Sequence, residues 1–118
     1  MNRKAVLRWV LAGALWGGVA SAQAGQWSVP ADFWFTPRSA QSVLQQPDIR
    51  AAVTDFLQQP GSVLRLHHAP GDESALQADE LRYWLMALGL DGKRIQLQAD
   101  LSPNQPILLE TENKKVNS

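Results

Sequence analysis

Apolar positions along the chain fall into two periods. Ile49, Ala52, Val53, Phe56 and Leu57 stand at i, i+3, i+4, i+7 and i+8, the spacing of one face of an α-helix. Pro47 and Asp48 open that helix, because proline suits the first helical position and an acid favours the positive end of the helix dipole. Pro60-Gly61 ends it. A second helical face runs through Ala78, Leu81, Leu85 and Leu88, with Trp84 beside it. Ser74 and Gln77 predict a capping box at its start, and Gly89 a left-handed residue at its end.

The other period is two. Asp32–Thr36 reads as a strand, with Phe33 and Phe35 on one side and Trp34 on the other. Val63–His67 is the second strand. Arg94–Leu101 is the third, with Ile95, Leu97, Ala99 and Leu101 alternating with polar residues. Ile107–Leu109 follows Pro106 as a short fourth. Gln26–Pro30 is a lead-in, Pro37–Gln46 a polar connection and Thr111–Ser118 a frayed polar tail. The expected order is β-α-β-α-β-β, an α+β two-layer sandwich with helices against one sheet.

Ahead of this domain the pattern is of another kind. Arg3, Lys4 and Arg8 precede an uncharged stretch from Trp9 to Val19, and Ala20-Ser21-Ala22 and Ala22-Gln23-Ala24 place small residues where a signal peptidase looks. A basic start, an apolar run and an A-x-A site together predict a cleaved secretory signal over residues 1–22. The run is shorter than the roughly 20 apolar residues needed to span a bilayer, so no stable transmembrane anchor is expected. Residues 23–110 then form one domain and 111–118 the tail. The whole chain of 118 residues has 11 basic and 11 acidic side chains; without the leader, eight basic residues remain and the formal charge becomes −3. That balance lacks the cationic excess of a nucleic-acid binder. The absence of cysteine removes disulfides, thiol catalysis, thiolate metal sites and a lipid-anchored cysteine.

Candidate chemistry is sparse. His67-His68 is the only imidazole pair, but neighbours on a strand point to opposite faces; a metal site would need Asp72-Glu73 to fold back onto them. Asp72 with His68 could be drawn as an acid–base pair, but no nucleophile or oxyanion donor accompanies it. Asp79-Glu80 reads as a solvated helix face. No G-x-S-x-G, H-E-x-x-H, phosphate-loop or EF-hand spacing occurs. The expectation is a protein that is not an enzyme, with no cofactor and no metal. Trp27 and Trp34 are expected to form an aromatic partner surface on the uncovered side of the sheet.

The stretch from Phe33 to Ile107 resembles the C-terminal, OmpA-like domain of outer-membrane protein A, the peptidoglycan-associating module also found in flagellar stator and Pal-type proteins. The likeness rests on the F-x-F segment (Phe33, Phe35), a helix ending at Leu57, the strand Val63–Leu66, and Gln77-Ala78-x-x-Leu81-x-x-x-Leu85-x-x-x-Gly89-Leu90 followed by Lys93-Arg94-Ile95 and Pro106-Ile107. The resemblance implies a site where an aspartate after the second strand grips an ammonium and an arginine opening the second helix forks onto a carboxylate. Here Gln77 stands at the arginine position and the strand-to-helix connection is several residues shorter. Asp72 and Arg82 are the local substitutes, which with Gln77 make the candidate ligand site. Those departures favour an accessory interaction subunit of an envelope assembly, such as a secretion or pilus machine; the alternative is a peptidoglycan-binding module. Either reading places the protein in the periplasm. N-terminal sequencing of the exported protein is expected to begin at Gln23 or Gly25; recovery of the intact Met1 terminus in the membrane fraction would make residues 1–22 an anchor.

Overall fold

The computed structural model describes residues 25–113; the expected signal lies outside them. Within that span the chain forms strand β1 (Gln26–Ser28), a 3-10 turn (Ala31–Phe35), helices α1 (Ala40–Gln45) and α2 (Pro47–Leu57), and strand β2 (Ser62–His67). Helix α3 (Asp72–Ala87), a short 3-10 turn (Gly92–Arg94) and strands β3 (Ile95–Gln98) and β4 (Leu108–Asn113) complete it. The class is α+β. The four strands make one mixed sheet in the order β1-β4-β2-β3. β4 runs antiparallel to both β1 and β2, while β3 runs parallel to β2. α2 packs over β1 and β4, and α3 over β2 and β3.

The two helical periods account for the core. Ile49, Ala52, Val53 and Phe56 of α2 meet Ala78, Leu81 and Leu85 of α3 over Leu64, Leu66, Ile95 and Leu109 of the sheet. Each large side chain buried in this way stabilises the fold by roughly 1.5–3 kcal/mol. Leu57, assigned to the inner face, is instead 62% exposed; it is the last residue of the helix, and the roughly 100° step per residue turns it away from buried Phe56. The second helix begins earlier than its apolar stripe suggests. Gly71 precedes it at φ 107°, a backbone region open to glycine and little else, and no side chain caps its first turn. Ser74 therefore sits inside the helix, where its Oγ accepts from the Ala69 amide at 3.0 Å and ties the helix to the end of β2. The expected Ser74–Gln77 capping box does not form.

Two segments differ from the expected elements. Asp32–Thr36 is no strand: Pro30 and Pro37 bracket it, the Phe33 amide bonds back to Pro30 O at 3.1 Å, and the segment coils as a 3-10 turn. Phe33 and Trp34 then both lean on the core with their rings edge-on at 5.0 Å, and Phe35 is left 82% exposed. The first strand is the lead-in, Gln26–Ser28, which pairs with β4. The polar connection Pro37–Gln46 contains α1, started by a reciprocal cap between Ser39 and Ser42. Gln46 closes α1 and opens α2, its Oε1 accepting from the Ile49 amide at 2.8 Å.

The sheet face away from the helices is polar. Arg65 spans it, bonding Glu112 Oε1 through Nε at 2.8 Å and Gln96 through Nη1 at 2.9 Å. The expected aromatic patch is not on this face. Trp27 lies directly opposite Leu109 in the β1–β4 register and so faces the helices, and Trp34 is not in the sheet at all.

The C-terminal strand is the largest departure. Thr111–Asn113, expected to fray, continues β4 and pairs with Ser62–Leu64 of β2; residues 114–118 lie outside the described span. Truncation after Leu109 is expected to abolish the cooperative thermal transition seen by circular dichroism, because the lost ladder and ion pairs rival the 5–15 kcal/mol or so that hold a domain folded. Truncation after Asn113 is expected to leave the transition in place.

Candidate functional site

The end of β2, the start of α3 and two flanking loops enclose a cleft of about 420 Å³. Its first wall is the 3-10 turn, with Ala31, Trp34 and Phe35. Its floor is the connection Ala69–Ser74 together with Gln77. Asn104, Gln105 and Pro106 form a second wall. The geometry follows from local chemistry. The short connection after β2 turns on Gly71 and places Asp72 and Glu73 in the first turn of α3, where acids complement the helix dipole. The second wall is pinned by the Leu101 amide on His68 O at 3.1 Å and by Gln105 Oε1 accepting from the Ser102 amide at 2.7 Å. Asn104 takes the left-handed conformation there, at φ 72°, which asparagine tolerates better than most residues.

The aromatic wall is held by an ion pair. Arg38 forks onto Glu80 of α3, through Nε at 2.6 Å and Nη2 at 3.0 Å, and its Nη1 donates to Trp34 O and Thr36 O at 3.0 and 2.9 Å. The same guanidinium stands 5.3 Å from the Trp34 ring centroid, within cation–π range. Trp84 Nε1 donates to Glu80 Oε2 at 3.0 Å. The Arg38 fork holds the Glu80 carboxyl below its ordinary range; burial opposes this, and the Trp84 bond adds to it. Glu80 is therefore no solvated acid, as its place on a polar helix face suggested.

Of the expected ligand residues, Asp72 and Gln77 both line the cleft. Arg82 does not. Ten residues along α3 carry it about 15 Å from Asp72, and its Nη2 donates to Gly92 O at 3.1 Å, where it braces the turn before β3. No guanidinium therefore enters the cleft, and neither Asp72 nor Glu73 has an ion-pair partner among the described residues. Trp34 is in the cleft wall, whereas Trp27 is packed against the core from β1 and does not line the cleft. His67 and His68 diverge as strand neighbours must. His67 engages Asp100 and Glu110, and His68 Nδ1 donates to Ala69 O at 3.0 Å. Among the described residues no group of three or more His, Asp or Glu side chains is arranged to hold a metal ion, and no helix is long and apolar enough to cross a membrane.

Comparison with protein-family models, with curated proteins and with solved structures finds no match. The site is thus described by its own chemistry: an aromatic wall, two uncompensated carboxylates and an amide rim. The sequence reading missed Arg38, Glu80, Phe35 and the Asn104–Pro106 wall. Only the Glu80–Trp84 spacing, i to i+4 on one helix, offered a local signal.

Glu80→Ala is expected to lower stability by about 1–2 kcal/mol, because Arg38 and the Trp84 N–H lose a partly buried acceptor. Asp79→Ala, one residue away and exposed, should change it by less than about 0.5 kcal/mol. Urea unfolding of both variants checks the contrast.

Proposed function

We propose that this protein is a non-enzymatic, exported interaction subunit of a cell-envelope assembly, and that it docks through the cleft at the start of α3. The observation that carries the reading is the pairing of an exposed Phe35 and a half-buried Trp34 with a floor that holds Asp72, Glu73 and Gln77 but no guanidinium. An aromatic anchor beside a polar rim suits a protein partner. Catalysis by residues of the cleft has little to work with, since its one lining hydroxyl, Ser74, has its Oγ engaged by the Ala69 amide and no imidazole lines the cleft to activate it. The export part of the reading rests on the basic, apolar and A-x-A pattern of residues 1–22.

A second reading, peptidoglycan binding, has a specific observation in its favour. Asp72 and Gln77 line one cleft after the second strand, the place where the resemblance to OmpA-like domains puts an ammonium-gripping acid and its companion. Its weakness is chemical. Gln77 cannot fork onto a carboxylate as arginine does, and Arg82 is committed at the other end of the helix.

One set of variants separates the two. Phe35→Ala, at a side chain 82% exposed, is expected to weaken co-purification with the envelope assembly at least tenfold, as loss of an anchor contributing about 2 kcal/mol would. Neither the unaltered protein nor Asp72→Ala is then expected to sediment with isolated sacculi. Sacculus binding that is lost in Asp72→Ala, with circular dichroism unchanged, would establish the wall-binding reading instead.

A further inference from the structure

His67 stands on the uncovered face of the sheet with both ring nitrogens engaged. Nδ1 meets Asp100 Oδ1 at 2.8 Å and Nε2 meets Glu110 Oε1 at 2.7 Å. A neutral imidazole has one N–H and can donate to one carboxylate only. Two carboxylate partners at these distances call for the imidazolium. The side chain is 11% exposed, so water competes weakly for either bond. The other charged groups on this face are Arg65, two residues back on β2, and Glu112 of β4, which bond each other; β3 contributes Gln96 and Gln98, and both accept from Arg65. The counter-charges of His67 are therefore Asp100 and Glu110.

Asp100 gives this arrangement a consequence. It follows β3 and starts the connection to β4, and the same connection supplies Asn104, Gln105 and Pro106 to the cleft. Glu110 lies within β4. One side chain thus ties β2 both to its neighbouring strand and to the base of the loop that forms a cleft wall. We infer that His67 is a pH-sensitive clamp, which as the imidazolium fastens the 99–107 connection to the sheet and, on losing its proton, can donate to only one of its two carboxylates, so that its hold on Asp100 weakens and that wall loosens. The clamp is a property of the fold; that it regulates binding rests on the docking site proposed above.

The direction of the pH dependence follows. Burial works against the charged ring, but the hydrogen bonds to Asp100 and Glu110 outweigh it and hold His67 above its ordinary value of 6.5. A group whose folded pKa exceeds its unfolded one contributes fully below the unfolded value and loses that contribution as pH rises through the folded one. The clamp is therefore fully closed below the ordinary value and opens only as the pH rises through the raised folded one.

The test is an NMR titration of the full-length protein, following the His67 ring and the backbone amides of Leu101, Asn104 and Gln105. The ring and the loop amides are expected to share one midpoint above 6.5. In Asp100→Asn the midpoint should fall, and the amide shifts should shrink with it, since a neutral amide no longer favours the imidazolium. His68→Gln should leave the loop titration in place, which removes the neighbouring imidazole as its source. Loop amides that ignore pH, or that keep their midpoint in Asp100→Asn, would overturn the clamp. Failure of the docking reading shows separately, as absent partner binding at every pH while the amide titration persists.

Discussion

The insertion of β4 between β1 and β2 is the constraint on which the rest of the structure depends. β1 is three residues long and has no other neighbour, so without β4 it would leave the sheet and take Trp27 and Val29 from the core. β4 also places Leu109 under both helices, and Thr111 Oγ1 donates to Asp55 of α2. On its other face Glu110 and Glu112 meet His67 and Arg65. Backbone pairing, core burial and charge pairing thus converge on six residues near the end of the chain. Such non-local pairing has a loop-closure cost in entropy before any contact repays it, so the helices and β2 are the natural elements to order first.

The cleft is a by-product of how the layers are joined. Each of its walls belongs to a connection, and each connection is tied down by a polar bond to a regular element: Arg38 to Glu80, Ser74 Oγ to the Ala69 amide, Leu101 to His68 O. Binding sites commonly lie on loops held by a rigid scaffold. Here the ties fix the aromatic wall most firmly, since Arg38 joins it to α3 by two charge-assisted bonds and to its own backbone by two more. Phe35 is exposed as a result, because the 3-10 turn that buries Phe33 and Trp34 rotates the third aromatic outward.

Asp72, Gln77 and Trp34 could be named from the sequence, but the rest of the cleft and most of its chemistry could not. Asp72 and Gln77 fall in one cleft because a tight turn after β2 and the start of an amphipathic helix are both local signals. Whether a cation joined them was not local. Arg82 looked near in sequence, but the rise of the helix carries it away, and its guanidinium is used at Gly92. Arg38, the cation that does act on the site, lies 42 residues from its partner Glu80, a separation at which no periodicity carries information. The same holds for His67, whose partners are 33 and 43 residues away. Side-chain pairs across layers depend on how strands are ordered, and strand order is not written in any window of sequence.

By itself the sequence determined the elements with strong periods: α2, α3, β2 and the α+β class. It did so because burying one face of a helix or strand needs a fixed spacing of apolar residues, which survives whatever the neighbours are. It misplaced the weakly patterned pieces. Phe33-Trp34-Phe35 alternates too briefly to tell a strand from a turn, and six residues of α1 are too few to show a helical face. Gln26–Ser28 and Thr111–Asn113 are polar or short, so they look like ends. Only the tertiary structure made them strands, because β4 had two partners to satisfy its backbone and β1 had β4. The position of the cleft, the role of Arg38 and the charge around His67 were decided at that same level, where free energy depends on which distant groups are brought within hydrogen-bonding distance and shielded from water.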